Sequence, residues 1–165
     1  MVHLRVLSLA SNELTRLEGL ERCVSLEELN VEDNRLSRLE GLSVLRALRR
    51  LEAGKNKLGS LDGLAPLESL SLVSVEDNQI TTLAGIEKLV GLMELYAGNN
   101  AIAALREAHR LKELPKLIIL DISGNPLCAD REYRLYALYH LRRLKVLDGA
   151  AVDSHEQNVA KERFA

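Results

Sequence analysis

Aromatic side chains are nearly missing. They make up 3% of the 165 residues, with no tryptophan and a single phenylalanine, Phe164. An aromatic cage or a base-stacking platform is therefore close to excluded. Cysteine occurs only at Cys23 and Cys128, far apart and without metal-ligand spacing, which reads as two free thiols in a reducing compartment. No apolar run approaches the length that spans a bilayer, and no basic-then-apolar signal segment opens the chain. Net charge is −2 and the pI about 6.1, a poor match to a phosphate backbone. Together these absences predict one cytosolic or nuclear domain that binds neither membrane nor nucleic acid directly.

What the chain has in excess is leucine, at 35 positions. The leucines recur in phase. Blocks start at residues 4, 26, 48, 70, 92 and 117, spaced by 22 four times and then by 25. Each reads L-x-x-L-x-L-x-x-N-x-L with small substitutions, the leucine-rich repeat signature. Alternation at the fourth and sixth positions predicts a short strand with one buried face. The asparagines Asn12, Asn34, Asn56, Asn78, Asn100 and Asn125 follow each strand where the chain must turn away. An amide both donates and accepts, so these six are expected to form a structural ladder between coils.

The second half of a repeat reads L-x-x-L-x-G-L over 14–20, 36–42 and 58–64. The recurring Gly19, Gly41, Gly63 and Gly85 predict positive φ or tight contact between coils. Apolar residues after each glycine predict a short convex helix, with Cys23 in a core position. The fifth repeat lacks the glycine, and Leu105, Ala108, Leu111 and Leu114 predict a longer helix ended by Pro115. The expectation is therefore an α/β solenoid with a parallel concave sheet and short convex helices. Six repeats fill 1–125, and a C-terminal helical cap fills 126–165, with a last partial strand near Leu144 to Gly149. Three of the four tyrosines lie in that cap and read as packing residues. Only three residues precede Leu4, so a monomer or a fragment of a longer chain is expected, with self-association as the alternative.

No catalytic motif is present. His3, His109, His140 and His155 have no nucleophile beside them in a recognisable motif, and no phosphate-binding glycine loop occurs. The acidic pairs Glu32-Asp33 and Glu76-Asp77 read as solvated carboxylates, so neither metal nor cofactor is expected. A non-catalytic protein follows.

The 22-residue period and its L-x-x-L-x-G-L half resemble the protein phosphatase-1 regulatory subunit class of leucine-rich repeats, which includes axonemal dynein light chain 1 and the spliceosomal A-prime protein. The segment from Asn125-Pro126-Leu127 through Tyr133-Arg134 to Leu144-Lys-Val-Leu-Asp-Gly149 is similar to the cap of that class. The resemblance covers essentially the whole chain. It implies a protein-binding scaffold, often of cilia and axonemes, or a phosphatase regulatory adaptor, without naming a partner.

Strand geometry predicts where a partner would sit. The third, fifth and seventh positions point outward. They place Glu28, Asn30, Glu32, Arg50, Glu52, Leu72, Ser74, Glu76, Glu94, Tyr96, Ile119 and Asp121 on the concave face, with Asp33, Lys55 and Asp77 at its rim. Eight of these are acidic and two basic. Leu72, Tyr96 and Ile119 are expected to form an apolar patch. A basic helix or loop of another protein is the expected ligand, steered by the acids and anchored by the patch. The alternative is an acidic partner, such as the tubulin surface, on the basic cap residues Arg131, Arg134, Arg142, Arg143 and Lys145.

Overall fold

The computed structural model describes residues 3–165. One three-residue strand rises from each repeat: β1 (Val6–Ser8), β2 (Glu28–Asn30), β3 (Arg50–Glu52), β4 (Leu72–Ser74), β5 (Glu94–Tyr96) and β6 (Ile119–Asp121). They pair in chain order, all parallel, each residue beside its equivalent one coil later, so that Leu29 faces Leu51 and Leu51 faces Val73. That register follows from the burial pattern. Leu29, Leu51, Val73, Leu95 and Leu120 point inward and are fully buried, and a slip by one residue would turn them all to water. Two short strands close the sheet: β7 (Val146–Leu147), parallel to β6, and β8 (Ala150–Ala151), antiparallel to β7. The solenoid with its parallel sheet, helical side and terminal helix is the architecture the repeats predict. At the other end Leu4, Leu7, Leu9 and Leu14 are only half-buried, unlike their counterparts in later coils.

The asparagines bridge the coils. The Asn56 carbonyl accepts from the Leu36 N–H at 3.0 Å, and its amide donates to the carbonyls of Val31, Ala53 and Gly54 at 3.0–3.1 Å. Asn34, Asn78, Asn100 and Asn125 repeat the pattern. Asn12 does not reach across, and donates only to Leu9 and Ala10 of its own coil. One residue earlier, the backbone enters the left-handed region in every repeat: Ser11, Asp33, Lys55, Asp77, Asn99 and Gly124 have φ of 53–71°. The recurring glycines have positive φ, and at Gly41 and Gly63 both expected reasons apply. A Cβ there would lie 2.7 and 2.6 Å from the carbonyl oxygens of Leu17 and Leu39 in the preceding coil.

The helical side is plainer than expected. In the first three repeats no helix forms. Successive i→i+3 turns do the work, with Cys23, Leu45 and Leu67 each donating to the residue three before and accepting from the residue three after. The apolar residues sit at every third position, which matches three residues per turn. Cys23 is buried, as its repeat position predicts. A 3-10 turn over Ile86–Lys88 appears in the fourth repeat, and the fifth contains α1 (Arg106–Arg110) followed directly by a 3-10 turn over Leu111–Glu113. Glu107 on α1 is buried, yet fully bonded: it accepts from the Leu83 N–H at 2.8 Å, the Thr82 hydroxyl at 3.0 Å and Arg110 Nε at 3.0 Å. A buried carboxylate is tolerated only with such compensation, and this one ties the irregular fifth coil to the fourth.

The cap is α2 (Tyr133–His140) packed on α3 (Ser154–Phe164). Asp153 and Glu156 form a reciprocal capping box at the start of α3. Two ion pairs join the helices, Arg134 with Glu156 at 2.7 Å and Arg163 with Glu132 at 2.9 Å. Tyr136 and Tyr139 pack on Phe164, with ring centroids 5.7 Å apart in each pair, and Tyr133 is buried. The tyrosines are packing residues.

Candidate functional site

Each outward residue is held by a strand whose neighbours are fixed by the parallel register, so the strand face is a rigid array. Across it run two rows. The third positions line up as Glu28, Arg50, Leu72, Glu94 and Ile119, and the fifth as Asn30, Glu52, Ser74, Tyr96 and Asp121. This register divides the expected apolar patch. Glu94 stands between Leu72 and Ile119, while Tyr96 stands between Ser74 and Asp121. The Tyr96 hydroxyl donates to Glu94 at 2.7 Å, and that bond, partial burial and the surrounding carboxylates push its pKa up to about 12. All four side chains remain half-exposed, so the patch is an aromatic and two aliphatics around one bound carboxylate.

The charges sort themselves on this face. Arg50 lies 2.6 Å from Glu52, and Lys55 lies 3.4 Å from Glu32. Both cations of the array are thus already engaged, and Glu28, Asp33, Glu76, Asp77, Glu94 and Asp121 have no cation partner among the described residues. Some polar groups serve the backbone: the Asn30 carbonyl accepts from the Glu32 N–H at 2.9 Å, and Asp121 accepts from the Ser123 N–H at 3.0 Å. Glu76 carries the electrostatic cost. Partial burial, then the nearby charges of Asp121, Asp77 and Glu32, raise its pKa. A hollow of about 180 Å³ lies over β1 to β3, lined by Val6, Ser8, Glu28, Asn30, Arg50 and Glu52.

The basic residues of the cap do not form one patch. Arg134 is committed to structure: its two guanidinium bonds to Glu156, at 2.7 and 3.1 Å, and one to the Leu147 carbonyl fix α2 against α3 and β7. Arg131 and Lys145 are exposed. Arg142 and Arg143 instead line a cavity with Lys112 of the fifth coil, a neighbour that lies thirty residues away in sequence. No group of three or more His, Cys, Asp or Glu side chains among the described residues could hold a metal ion.

Residues 51–165 match the leucine-rich repeat family, and residues 2–44 match a pair of leucine-rich repeats. The chain belongs to the leucine-rich repeat family. Proteins with this fold generally mediate protein–protein interaction. The chain is 43% identical over 63 residues to mouse leucine-rich repeat-containing protein 36 and 41% identical over 63 residues to the human protein, a match over 38% of this chain in each case. The match spans only 8% of the length of those relatives. Among solved structures, an internalin (inlF) of Listeria monocytogenes superposes with a TM-score of 0.76 at 24% identity, over 88% of this chain and 41% of that one. The Drosophila melanogaster SNF/U2A′ complex contains a chain that superposes with a TM-score of 0.70 at 20% identity, over 96% of this chain and 80% of that one. These likenesses support the fold.

Proposed function

We propose that this leucine-rich repeat chain is a non-catalytic scaffold whose strand face captures a basic helix or loop of another protein. The observation that carries the reading is the imbalance on the array. Among the described residues six acids have no cation partner, while both cations of the face are consumed by Glu52 and Glu32. Carboxylates concentrated on a rigid surface steer a cationic partner and fix its register. Tyr96, with Leu72 and Ile119 on either side of the Glu94 carboxylate it binds, supplies the amphipathic contact that slows release. The ligand is thus a segment with lysines or arginines flanking an apolar residue.

The resemblance of the repeats and cap to the phosphatase-1 regulatory subunit and axonemal dynein light chain class, and of segments 117–127 and 139–149 to leucine-rich repeat-containing protein 9, suggests a cytoplasmic setting in the cilium or axoneme. A reducing compartment would suit the two free cysteines. The test is a calorimetric titration with an amphipathic, lysine-rich helical peptide over a range of salt. Saturable binding that weakens with salt and is lost in a folded Glu76→Lys, Tyr96→Ala variant is the expected result. Equal binding by both forms would refute the reading.

A further inference from the structure

Two adjoining cavities open on the helical side where the fifth coil meets the cap. One, of about 280 Å³, lies between the 3-10 turn after α1 and the end of α2, with Lys112, His140, Arg142 and Arg143 around it and Leu111, Leu114, Leu117 and Leu141 beneath. The other, of about 370 Å³, is lined by Arg106, His109 and Arg110, and shares Lys112 with the first. Five permanent cations therefore face two acids, Glu87 and Glu113.

Most of that positive charge is uncompensated. Arg106 has no ion pair among the described residues. Arg142 donates to the Tyr139 carbonyl and lies 5.6 Å from the Tyr139 ring centroid, and Arg143 donates to the Pro115 carbonyl. Those acceptors are neutral and position the guanidinium groups without cancelling them. Lys112 and Glu113 are 3.9 Å apart and both well exposed, which contributes little. Arg110 has a closer acid, the buried Glu107 at 3.0 Å. His140 on the first cavity and His109 on the second pack with ring centroids 4.4 Å apart, tilted by 41°. The His140 pKa is lowered, first by burial and then by His109, Lys112 and Arg142, so the ring senses the same positive field.

We propose that this double cavity is a docking site for an acidic polypeptide segment, with aspartates or glutamates on the cationic rim and an apolar side chain over the leucine floor. The site is separate from the strand face and opposite in sign. A rigid stack that carries both can hold a basic and an acidic partner at once, so the scaffold bridges two proteins of opposite charge.

The experiment titrates the full chain with a fluorescent peptide of alternating glutamate and leucine at physiological ionic strength, read by anisotropy, alongside the lysine-rich peptide. Variants are Arg106→Glu with Lys112→Glu, and separately Glu76→Lys, each checked by circular dichroism and thermal melting. The double reversal is expected to weaken the glutamate peptide about tenfold or more and to leave the lysine peptide unaffected, because rim charges act locally. Glu76→Lys is expected to do the opposite, which separates failure of this proposal from failure of the strand-face reading. If the double reversal unfolds the chain, Arg106→Gln with Lys112→Gln replaces it, with a smaller loss expected. An absence of saturable binding, or an affinity indifferent to these variants, would overturn the proposal. So would displacement of the peptide by inorganic phosphate, which would mark a phosphate site. Sedimentation showing self-association lost in both charge variants would also overturn it, by making the occupant the acidic face of a second copy.

Discussion

Tyr133 donates its hydroxyl to the Asp148 carboxylate at 2.8 Å, and the other oxygen of that carboxylate accepts the Ile122 N–H at 2.8 Å. The second bond has a precedent in every earlier coil. There the equivalent N–H, from Leu9, Val31, Ala53, Val75 and Ala97, donates to a backbone carbonyl of the next strand at 2.7–2.8 Å. After β7 the chain turns away through Asp148, at φ 52°, and a side-chain oxygen stands in for the missing carbonyl. Tyr133 holds that carboxylate in place from α2. Burial and the Asp148 charge raise the Tyr133 pKa, so the hydroxyl stays a donor. Tyr133→Phe should cost on the order of 1–3 kcal/mol, and Asp148→Ala more, because it also strands the Ile122 N–H. Asp148→Asn should recover most of the loss, since its carbonyl can accept from Ile122. Denaturant unfolding of the three variants checks this order, and equal stability of Asp148→Ala and the parent would refute it.

The asparagine ladder makes a graded prediction. Asn56 is buried with four bonds, one to an N–H and three to carbonyls, drawn from its own coil and the one before. Asn56→Ala leaves the Leu36 N–H and those carbonyls without their partner and should cost roughly 2–4 kcal/mol, at or above the range for one stranded buried group. Asn12 is exposed and bonds only within its own turn, so Asn12→Ala should cost less than about 1 kcal/mol. Chemical denaturation midpoints that moved equally for the two would show that the bridging bonds contribute nothing.

The strands, the ladder and the glycines were legible because each depends on a short, repeated spacing. Alternation fixes which leucine points inward, and Leu17 and Leu39 approach Gly41 and Gly63 at the same offset in successive coils. What was not legible depends on contacts between segments that no period relates. Nothing in the spacing of the fifth repeat singles out Glu107, whose place is set by the Leu83 N–H and Thr82 hydroxyl of the previous coil that donate to it. Arg134 reads as a free cation until α3 brings Glu156 against it. The basic double cavity joins residues 106–112 to 142–143, and neither stretch alone distinguishes itself from an ordinary charged surface. On the strand face, sequence placed each outward residue, yet a one-strand offset in the rows put Glu94 inside the apolar patch.

Glu76 should be a residue the free protein folds better without. Its folded pKa is raised above the usual 4.5 by burial and by Asp121, Asp77 and Glu32. A carboxyl with a raised folded pKa binds its proton more tightly in the folded state. Its contribution is fully present below the unfolded value and is lost as pH rises through the folded one. Glu76→Gln should therefore raise the melting temperature slightly at neutral pH, by less than about 3 °C given solvent screening at a partly exposed site. The gain should vanish as pH falls toward 4.5. The same variant should weaken capture of the lysine-rich peptide. Stability lost to Glu76 in the free protein and affinity gained from it in the complex would then come from one charge. A variant less stable than the parent at neutral pH would contradict this.

His140 gives the joint between the fifth coil and the cap a pH dependence of the opposite sense. Its ring packs 4.4 Å from His109, 4.6 Å from Tyr136 and 4.9 Å from Tyr139, centroid to centroid. Burial, then His109, Lys112 and Arg142, lower its pKa from 6.5. As pH falls below that value the unfolded chain takes up the proton first. Stability that is complete above about 6.5 should thus decline as pH falls toward the lowered folded value. The acids that face this region, Glu87, Glu107 and Glu113, are outnumbered by Arg106, Arg110, Lys112, Arg142 and Arg143, so they do not reverse the sign. His140→Phe keeps an aromatic ring in the cluster and removes the titration. Its melting temperature should be flatter than the parent's between about pH 5 and 7. Parallel curves for the two proteins would show that the proton responsible sits elsewhere.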